Sequence, residues 1–373
     1  MEIRDKIIVI GGGFAGLQFA RQLNGKIDKK VMVIDKTNHH MFQPLFYQVA
    51  CGRIEPSNIS FPFRKIFQRS KNIQFRMTDV KEIIPSEHKI ITEDATFHYD
   101  KLVIATGCKT NFFGNQKMES LAYGMKNTQE DISIRNHILL TFEKLIIKRK
   151  SSDDGNWNIV IVGSGPTGVE LAGAFAEMKK DILPRDYPRM NFNDLDIILV
   201  SSTEKPLAVM SPESQENSEK YLKDLGVKFI SDDRVIDYDG DKVFLKSGKI
   251  IPSNNVIWAA GVTGNLIAGL EETSVKNNRY IVDRYNKIKG FDDIFAIGDI
   301  AYMETPKYPN AHPQVANVAI NQGKNLAQNF LKKSQKDWTE YEYIDRGSMA
   351  TIGKHRAVVD LPKLKFQGLF AWY

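Results

Sequence analysis

The chain has 373 residues, 42% of them hydrophobic and 26% charged, with a formal net charge of +6. That length supports two domains with full cores, and the composition is that of a globular protein rather than a disordered or fibrous one. The positive charge is modest and dispersed, which argues against a nucleic-acid partner; two cysteines far apart exclude a CxxC metal knuckle or redox dithiol, and no apolar stretch reaches the ~18 residues of a spanning helix.

No charged-then-apolar leader opens the chain. Lys6-Ile7-Ile8-Val9-Ile10, a strand-sized apolar run, leads straight into Gly11-Gly12-Gly13-Phe14-Ala15-Gly16. This predicts a place in the cytoplasm or on the cytoplasmic face of a membrane. A helical pattern follows through Leu17, Ala20 and Leu23. The sequence strand, GxGxxG, helix has a specific physics. The first glycine allows the tight turn, the second lets backbone approach a pyrophosphate, and the third lets helix and strand pack closely. Val31–Ile34 reads as the next strand and ends at Asp35, 19 residues past Gly16, where an acid can bind a ribose 2′-hydroxyl. Lys101-Leu102-Val103-Ile104 then runs into Ala105-Thr106-Gly107 and closes the unit.

Residues 128–150 show helical spacing through Ile134, Ile138, Phe142 and Leu145, and Ser151–Asn156 reads as a polar junction loop. The first pattern then repeats. Ile159–Val162 precedes Gly163-Ser164-Gly165-Pro166-Thr167-Gly168, with a helical pattern through Leu171, Ala174 and Phe175. Val256-Ile257-Trp258 runs into Ala259-Ala260-Gly261. From Gly11 to Gly107 is 96 residues and from Gly163 to Gly261 is 98, which predicts a duplicated nucleotide-binding architecture. In this second copy the strand Ile197–Val200 is followed by Ser201-Ser202, not by a carboxylate. Lys205 is nearby, and so is Glu204, which could swing in to replace the missing acid. A late apolar run, Ile294–Ile297, ends in Gly298-Asp299.

N-terminal GxGxxG, Ala-Thr-Gly, a second GxGxxG and a late Gly-Asp resemble the pattern of two-dinucleotide-binding flavoproteins, over nearly the whole chain. The resemblance implies an α/β fold with two Rossmann-like domains, the second inserted in the first. The first binds FAD and the second NAD(P)H. The expected limits are 1–115 and 288–335 for the FAD domain and 116–287 for the NAD(P)H domain, followed by a C-terminal region at 336–373. Three segments resemble more narrowly the type II NADH:quinone oxidoreductases: Asn38–Ala50, Gly163–Gly173 and Ala311–Gly323. That family passes hydride from NAD(P)H to flavin and two electrons on to a quinone, without proton pumping.

Carried over residue by residue, the resemblance gives FAD the residues Gly11, Gly13, Phe14, Ala15, Gly16, Asp35, Lys36, Gln48, Val80, Ala105, Thr106, Gly107, Gly298, Asp299, Val315 and Ala316. NADH, with NADPH admitted, is given Gly163, Gly165, Pro166, Thr167, Gly168, Glu170, Ser201, Ser202 and Gly261. Glu170, near the start of its helix, contacts the nicotinamide amide or relays a proton; its bland reading is an acid favoured by the helix dipole. Asn317 and Asn321 stand at the quinone site, where the family typically has Gln, one methylene longer. Arg356 stands where relatives often have Lys. His39, His40 and His312 read as structural or flavin-adjacent, and no metal is expected.

The family's aromatic, amphipathic C-terminal segment lies in the membrane interface and supports homodimers. Phe366, Leu369, Phe370 and Trp372 resemble its first turns, so 336–373 reads as a truncated membrane and dimer-interface region. Two other readings stay open at this level. One is a thiol-dependent NADH oxidase or peroxidase using Cys51. The other is a nucleotide-responsive flavoprotein with an impaired quinone site. Losing the carboxylate at Ser201 removes an element that repels a 2′-phosphate. NADPH should therefore be used comparably to NADH or better, in a direct comparison of kcat/KM; a large preference for NADH would refute this.

Overall fold

The computed structural model describes residues 6–148 and 156–372. Of the expected junction loop, residues 151–155 lie outside them. The preceding helix runs Thr128–Lys148, up to the edge of the described residues.

Two compact units emerge. The first takes the residues up to Met41, Ser60–Lys109 and Val262–Ile344; the second takes Phe42–Ile59, Thr110–Gly261 and the residues from Asp345 onward. The family resemblance implied crossings at 115/116, 287/288 and 335/336 and kept residues 42–59 with the N-terminal copy; by contact the crossings fall at 109/110, 261/262 and 344/345, because residues 262–287 and 336–344 pack with the first unit.

In the first unit a five-stranded sheet runs, in spatial order, Ile294–Ala296, Lys101–Ile104, Lys6–Ile10, Lys30–Asp35 and Ile73–Met77. All four pairings are parallel. Covered on both faces, such strands must be apolar throughout, which is why Lys6–Ile10 shows no polar alternation past Lys6. The two-residue period still sorts the side chains. Ile7, Val9, Val31, Val33, Val103 and Phe295 pack with the helices Phe14–Leu23 and Ala316–Phe330. Ile8, Ile10, Met32, Ile34, Leu102 and Ile104 pack on the other side with Ile83, Ile90, Tyr280 and Ile288. The late Ile294–Ala296 strand pairs beside Lys101–Ile104, with Phe295 opposite Val103. A segment far along the sequence thereby becomes an edge of the N-terminal sheet.

The second unit repeats the plan with four parallel strands, Lys228–Ile230, Ile197–Val200, Ile159–Val162 and Asn255–Trp258 in spatial order. The helix Pro166–Glu177 follows the glycine turn and passes into a π-helical turn, Met178–Ile182. A C-terminal antiparallel sheet of Ser348–Thr351, Ala357–Asp360 and Lys365–Gly368 belongs to this unit. Its loop lies so close to the helix that a β-carbon on Gly173 would stand 2.7 Å from the Gly353 nitrogen. Asp360 fastens the sheet to the start of the helix Pro212–Asp224, accepting from the Ser211 N–H (2.6 Å), the Ser211 hydroxyl (2.9 Å) and the Ser214 hydroxyl (2.7 Å). No helix among the described residues is long and apolar enough to cross a membrane.

Both glycine turns are closed by the same constraint. A β-carbon on Gly16 would collide with the Gly11 carbonyl oxygen, and one on Gly168 with that of Gly163. By contrast, a β-carbon on Gly13 would meet nothing within 4 Å. Gly16→Ala should therefore cost about 1–3 kcal/mol by overpacking and lower Tm by several degrees, whereas Gly13→Ala should leave Tm nearly unchanged. Thermal melts of the two variants compare them directly; equal melting temperatures would contradict the packing account.

Candidate dinucleotide-binding sites

In the first unit Gly11, Asp35, Ala105 and Gly298 lie at or just past the carboxyl ends of the parallel strands, where open α/β sheets bind ligands. Gly11 turns the chain at φ +101° and donates its N–H to the Ile34 carbonyl at 2.8 Å. Asp35 is locked beside this turn. One carboxylate oxygen accepts from the Gly12 N–H at 2.7 Å, and the other from the Thr37 N–H (2.8 Å) and hydroxyl (2.9 Å). The next residue, Lys36, is exposed. His40 is buried, with Nδ1 3.0 Å from the Gly12 carbonyl oxygen, and burial lowers its pKa, so a neutral ring donates there and braces the turn.

The helix that follows begins at Phe14, with Ala15 and Gly16 buried in its first turn. Its N-cap, Gly13, offers no side-chain cap, and its first turn holds no acidic residue. The helix Pro166–Glu177 shares both features, with Gly165 as its N-cap. Ordinary helices satisfy their first N–H groups with Ser, Thr, Asp or Asn. Two uncapped starts facing open space suit a phosphate anion, so the residues present fit a dinucleotide at each turn.

Around the first turn, Thr106 donates its hydroxyl to the Asn265 carbonyl (2.7 Å), and Asn265 donates its N–H to the Gly107 carbonyl (3.1 Å). Gly298 has φ +78° and donates its N–H to the buried Gln322 side chain at 2.7 Å. A β-carbon there would stand 3.0 Å from that of Ala15 and 3.4 Å from that of Ala319. Asp299 accepts from the Cys108 thiol at 3.1 Å. Val315 caps, and Ala316 opens, the helix that carries Asn317 and Asn321. These two amides lie one turn apart and bond to each other at 2.6 Å. Val80 starts the Val80–Ile84 strand and packs against the second face of the sheet. Gln48, also expected at FAD, falls in the second unit, where it donates to the Tyr47 hydroxyl at 3.0 Å.

In the second unit Gly163 has φ +104° and donates to the Val200 carbonyl at 2.8 Å. Gly165, Pro166 and Thr167 are exposed, and a β-carbon on Gly165 would meet nothing within 4 Å. Ser201 is buried, with its hydroxyl between those of Ser164 (2.6 Å) and Thr203 (2.9 Å). Ser202 and Glu204 are exposed, and Lys205 pairs with Glu216 at 3.1 Å.

Glu170 accepts from the Thr351 N–H at 3.5 Å, and burial pushes its carboxyl up to about 8. At neutral pH it therefore mostly carries a proton. The Thr351 hydroxyl in turn meets the Tyr47 hydroxyl at 3.0 Å. Tyr47 sits inside one of the segments that carry the family resemblance. Thr351, 181 residues from Glu170, gave no signal in the sequence. Gln322 lies within the Ala311–Gly323 segment that carries the resemblance, and Cys108 is one of the chain's two cysteines, but each reaches its partner, Gly298 and Asp299, only through the fold.

Cys51 is 4% exposed, and burial pushes its thiol up to about 11. At neutral pH it lacks the thiolate that a peroxide- or oxygen-reducing cysteine needs. Arg356 pairs with Asp224 at 3.0 Å and lies over the Tyr221 ring. Among the described residues no group of three or more His, Cys, Asp or Glu converges as metal ligands would.

Comparison with known proteins fits this geometry. The family model for pyridine nucleotide-disulphide oxidoreductases matches residues 5–323. The type II NADH:quinone oxidoreductase NdhA of Mycobacterium tuberculosis is 31% identical over 99% of this chain and 81% of its own length. A type II NADH:quinone oxidoreductase of Staphylococcus aureus is 27% identical over 95% of this chain and 89% of its own. The solved structure of NDH2 from Plasmodium falciparum in complex with NADH superposes with a TM-score of 0.91, covering 98% of this chain and 92% of that one at 20% identity, and so shares the fold. Two glycine turns of one design and relatives matched nearly end to end lead to one conclusion: the chain belongs to the pyridine nucleotide-disulphide oxidoreductases and, among them, to the type II NADH:quinone oxidoreductases.

Proposed function

We propose that this chain oxidises NADH, and NADPH as well, at the second unit's glycine turn and passes two electrons to a membrane quinone without pumping protons. The observation that carries this reading is the pair of uncapped, glycine-bounded helix starts, one in each unit. FAD, when bound, would accept the hydride and release two electrons to the quinone. The chain's own part is to bind, orient and supply protons. The turn Gly11–Gly16 and Asp35 would hold the FAD pyrophosphate and ribose, and Gly298 with Asp299 would lie along the ribityl chain. The turn Gly163–Gly168 would hold the nicotinamide dinucleotide. Asn317 and Asn321 stand on one helix face, where they would meet the quinone. Glu170, protonated at neutral pH, can keep a proton in reserve for a reaction that takes up one proton per NADH oxidised. The family resemblance further supports a place in the cytoplasm or, peripherally, on the cytoplasmic face of a membrane, and a homodimeric assembly.

Purified protein should be yellow or take up FAD. NADH should bleach the flavin, and menadione should restore the colour and sustain turnover. Protein that takes up no FAD would refute the flavin reading, and bleaching that no quinone reverses would refute quinone reduction.

Glu170 makes a second test. A carboxyl whose folded pKa is raised stabilises the fold below its unfolded value near 4.5, and that stability is lost as pH rises through about 8. Glu170→Gln should therefore gain Tm over the wild type as pH climbs through that window and then level off. Its quinone-reduction rate should lose any limb that falls with an apparent pKa near 8. Parallel melting and rate profiles for the two proteins would show Glu170 to be uninvolved.

A further inference from the structure

The second unit holds an exposed phenyl ring, that of Phe113, against the glycine that follows its closing strand. Asn111-Phe112-Phe113-Gly114 forms a turn tied to the end of the closing strand. The Asn111 N–H donates to the Gly261 carbonyl at 3.1 Å, and the Trp258 indole N–H donates to the Asn111 carbonyl at 2.7 Å. The Asn111 side chain accepts from the Phe113 N–H at 2.8 Å. Phe112 spends its ring in the core, tilted against Trp258 at 5.7 Å between centroids. Phe113 does not. It has φ +53°, a conformation that bulky side chains rarely adopt, and it is 68% exposed. Its ring meets Trp258 edge-on at 6.4 Å, and its tip lies 3.4 Å from where a β-carbon on Gly261 would be. Burial does not account for a phenyl ring held in this way.

Its position does. A β-carbon on Gly163 would stand 2.6 Å from the Ala260 Cα, so the segment ending at Gly261 abuts the phosphate turn. In the sheet, Asn255–Trp258 lies on one side of Ile159–Val162, and Ile197–Val200, which leads to Ser201, lies on the other. In Rossmann sheets the adenosine half binds on the second-strand side, and the other half of the dinucleotide extends across the opposite side. The geometry points to Phe113 as a contact for the nicotinamide half of the dinucleotide. Its ring offers a flat apolar face to the pyridine ring or its ribose, and Gly261 leaves room beneath it.

This rests on the NAD(P)H reading, and the test separates the two. NAD⁺ carries the nicotinamide half and ADP-ribose lacks it. Calorimetric titration of the FAD-loaded full chain with each nucleotide should show Phe113→Ala weakening NAD⁺ roughly five- to tenfold while ADP-ribose binds as to the wild type. Phe113→Tyr, which keeps the ring, should bind both like the wild type. Unchanged NAD⁺ affinity in Phe113→Ala would overturn the inference, as would equal losses for both nucleotides. A wild type that binds neither nucleotide would overturn the NAD(P)H reading as well.

Discussion

Each dinucleotide turn depends on a side chain that is absent. The helix Phe14–Leu23 starts so close beneath its strand that the Gly11 carbonyl occupies the place of a Gly16 β-carbon, and Gly163 stands in the same relation to Gly168. That approach brings the first N–H groups of each helix over the carboxyl edge of its sheet. There the partial positive charge of the helix end and the open backbone at Gly13 or Gly165 face outward together. A capping Ser or Asp would satisfy those N–H groups and make the helix more stable by itself. Both copies lack one, so local helix stability is given up where an anion can supply it.

The helix Pro166–Glu177 carries two acids in contrasting surroundings. Glu177 is buried and meets a cation and a backbone donor, the Arg53 guanidinium and the Lys354 N–H. It fastens the segment after Tyr47 and the C-terminal sheet to the same helix. Glu170, two turns earlier, has the Thr351 N–H as its hydrogen-bond partner and no cation among the described residues. Desolvation then decides its protonation, and the group keeps its proton at neutral pH. One helix thus bears an ion-paired acid and a protonated one, set apart by their neighbours rather than by residue type.

The departures from the family pattern act within the same framework. Asn317 and Asn321 are each a methylene shorter than the residues the family typically has, and they reach each other across one helical turn. Ser201 stands at the strand end where the first unit has Asp35, and its hydroxyl is taken up by Ser164 and Thr203. The residue following that strand carries no carboxylate, and Glu204 is exposed rather than folded in.

Much of this was legible in the residues themselves, because it rests on short-range physics. Apolar β-branched runs gave the strands Lys6–Ile10 and Ile159–Val162, and the glycine spacing gave both turns. The position of Asp35 and the near-equal spans to Gly107 and Gly261 gave the duplication. The family resemblance assigned 288–335 to the N-terminal domain, but short-range pattern could not say that Ile294–Ala296 would pair beside Lys101–Ile104 as an edge of its sheet or that residues 42–59 would group with the second unit. Nor could it say that Thr351 would reach Glu170, Cys108 reach Asp299, or Phe113 overhang Gly261. Those pairings join residues tens to hundreds of positions apart. Their partners, burial and protonation follow from what packs around each group, and only the tertiary structure sets that.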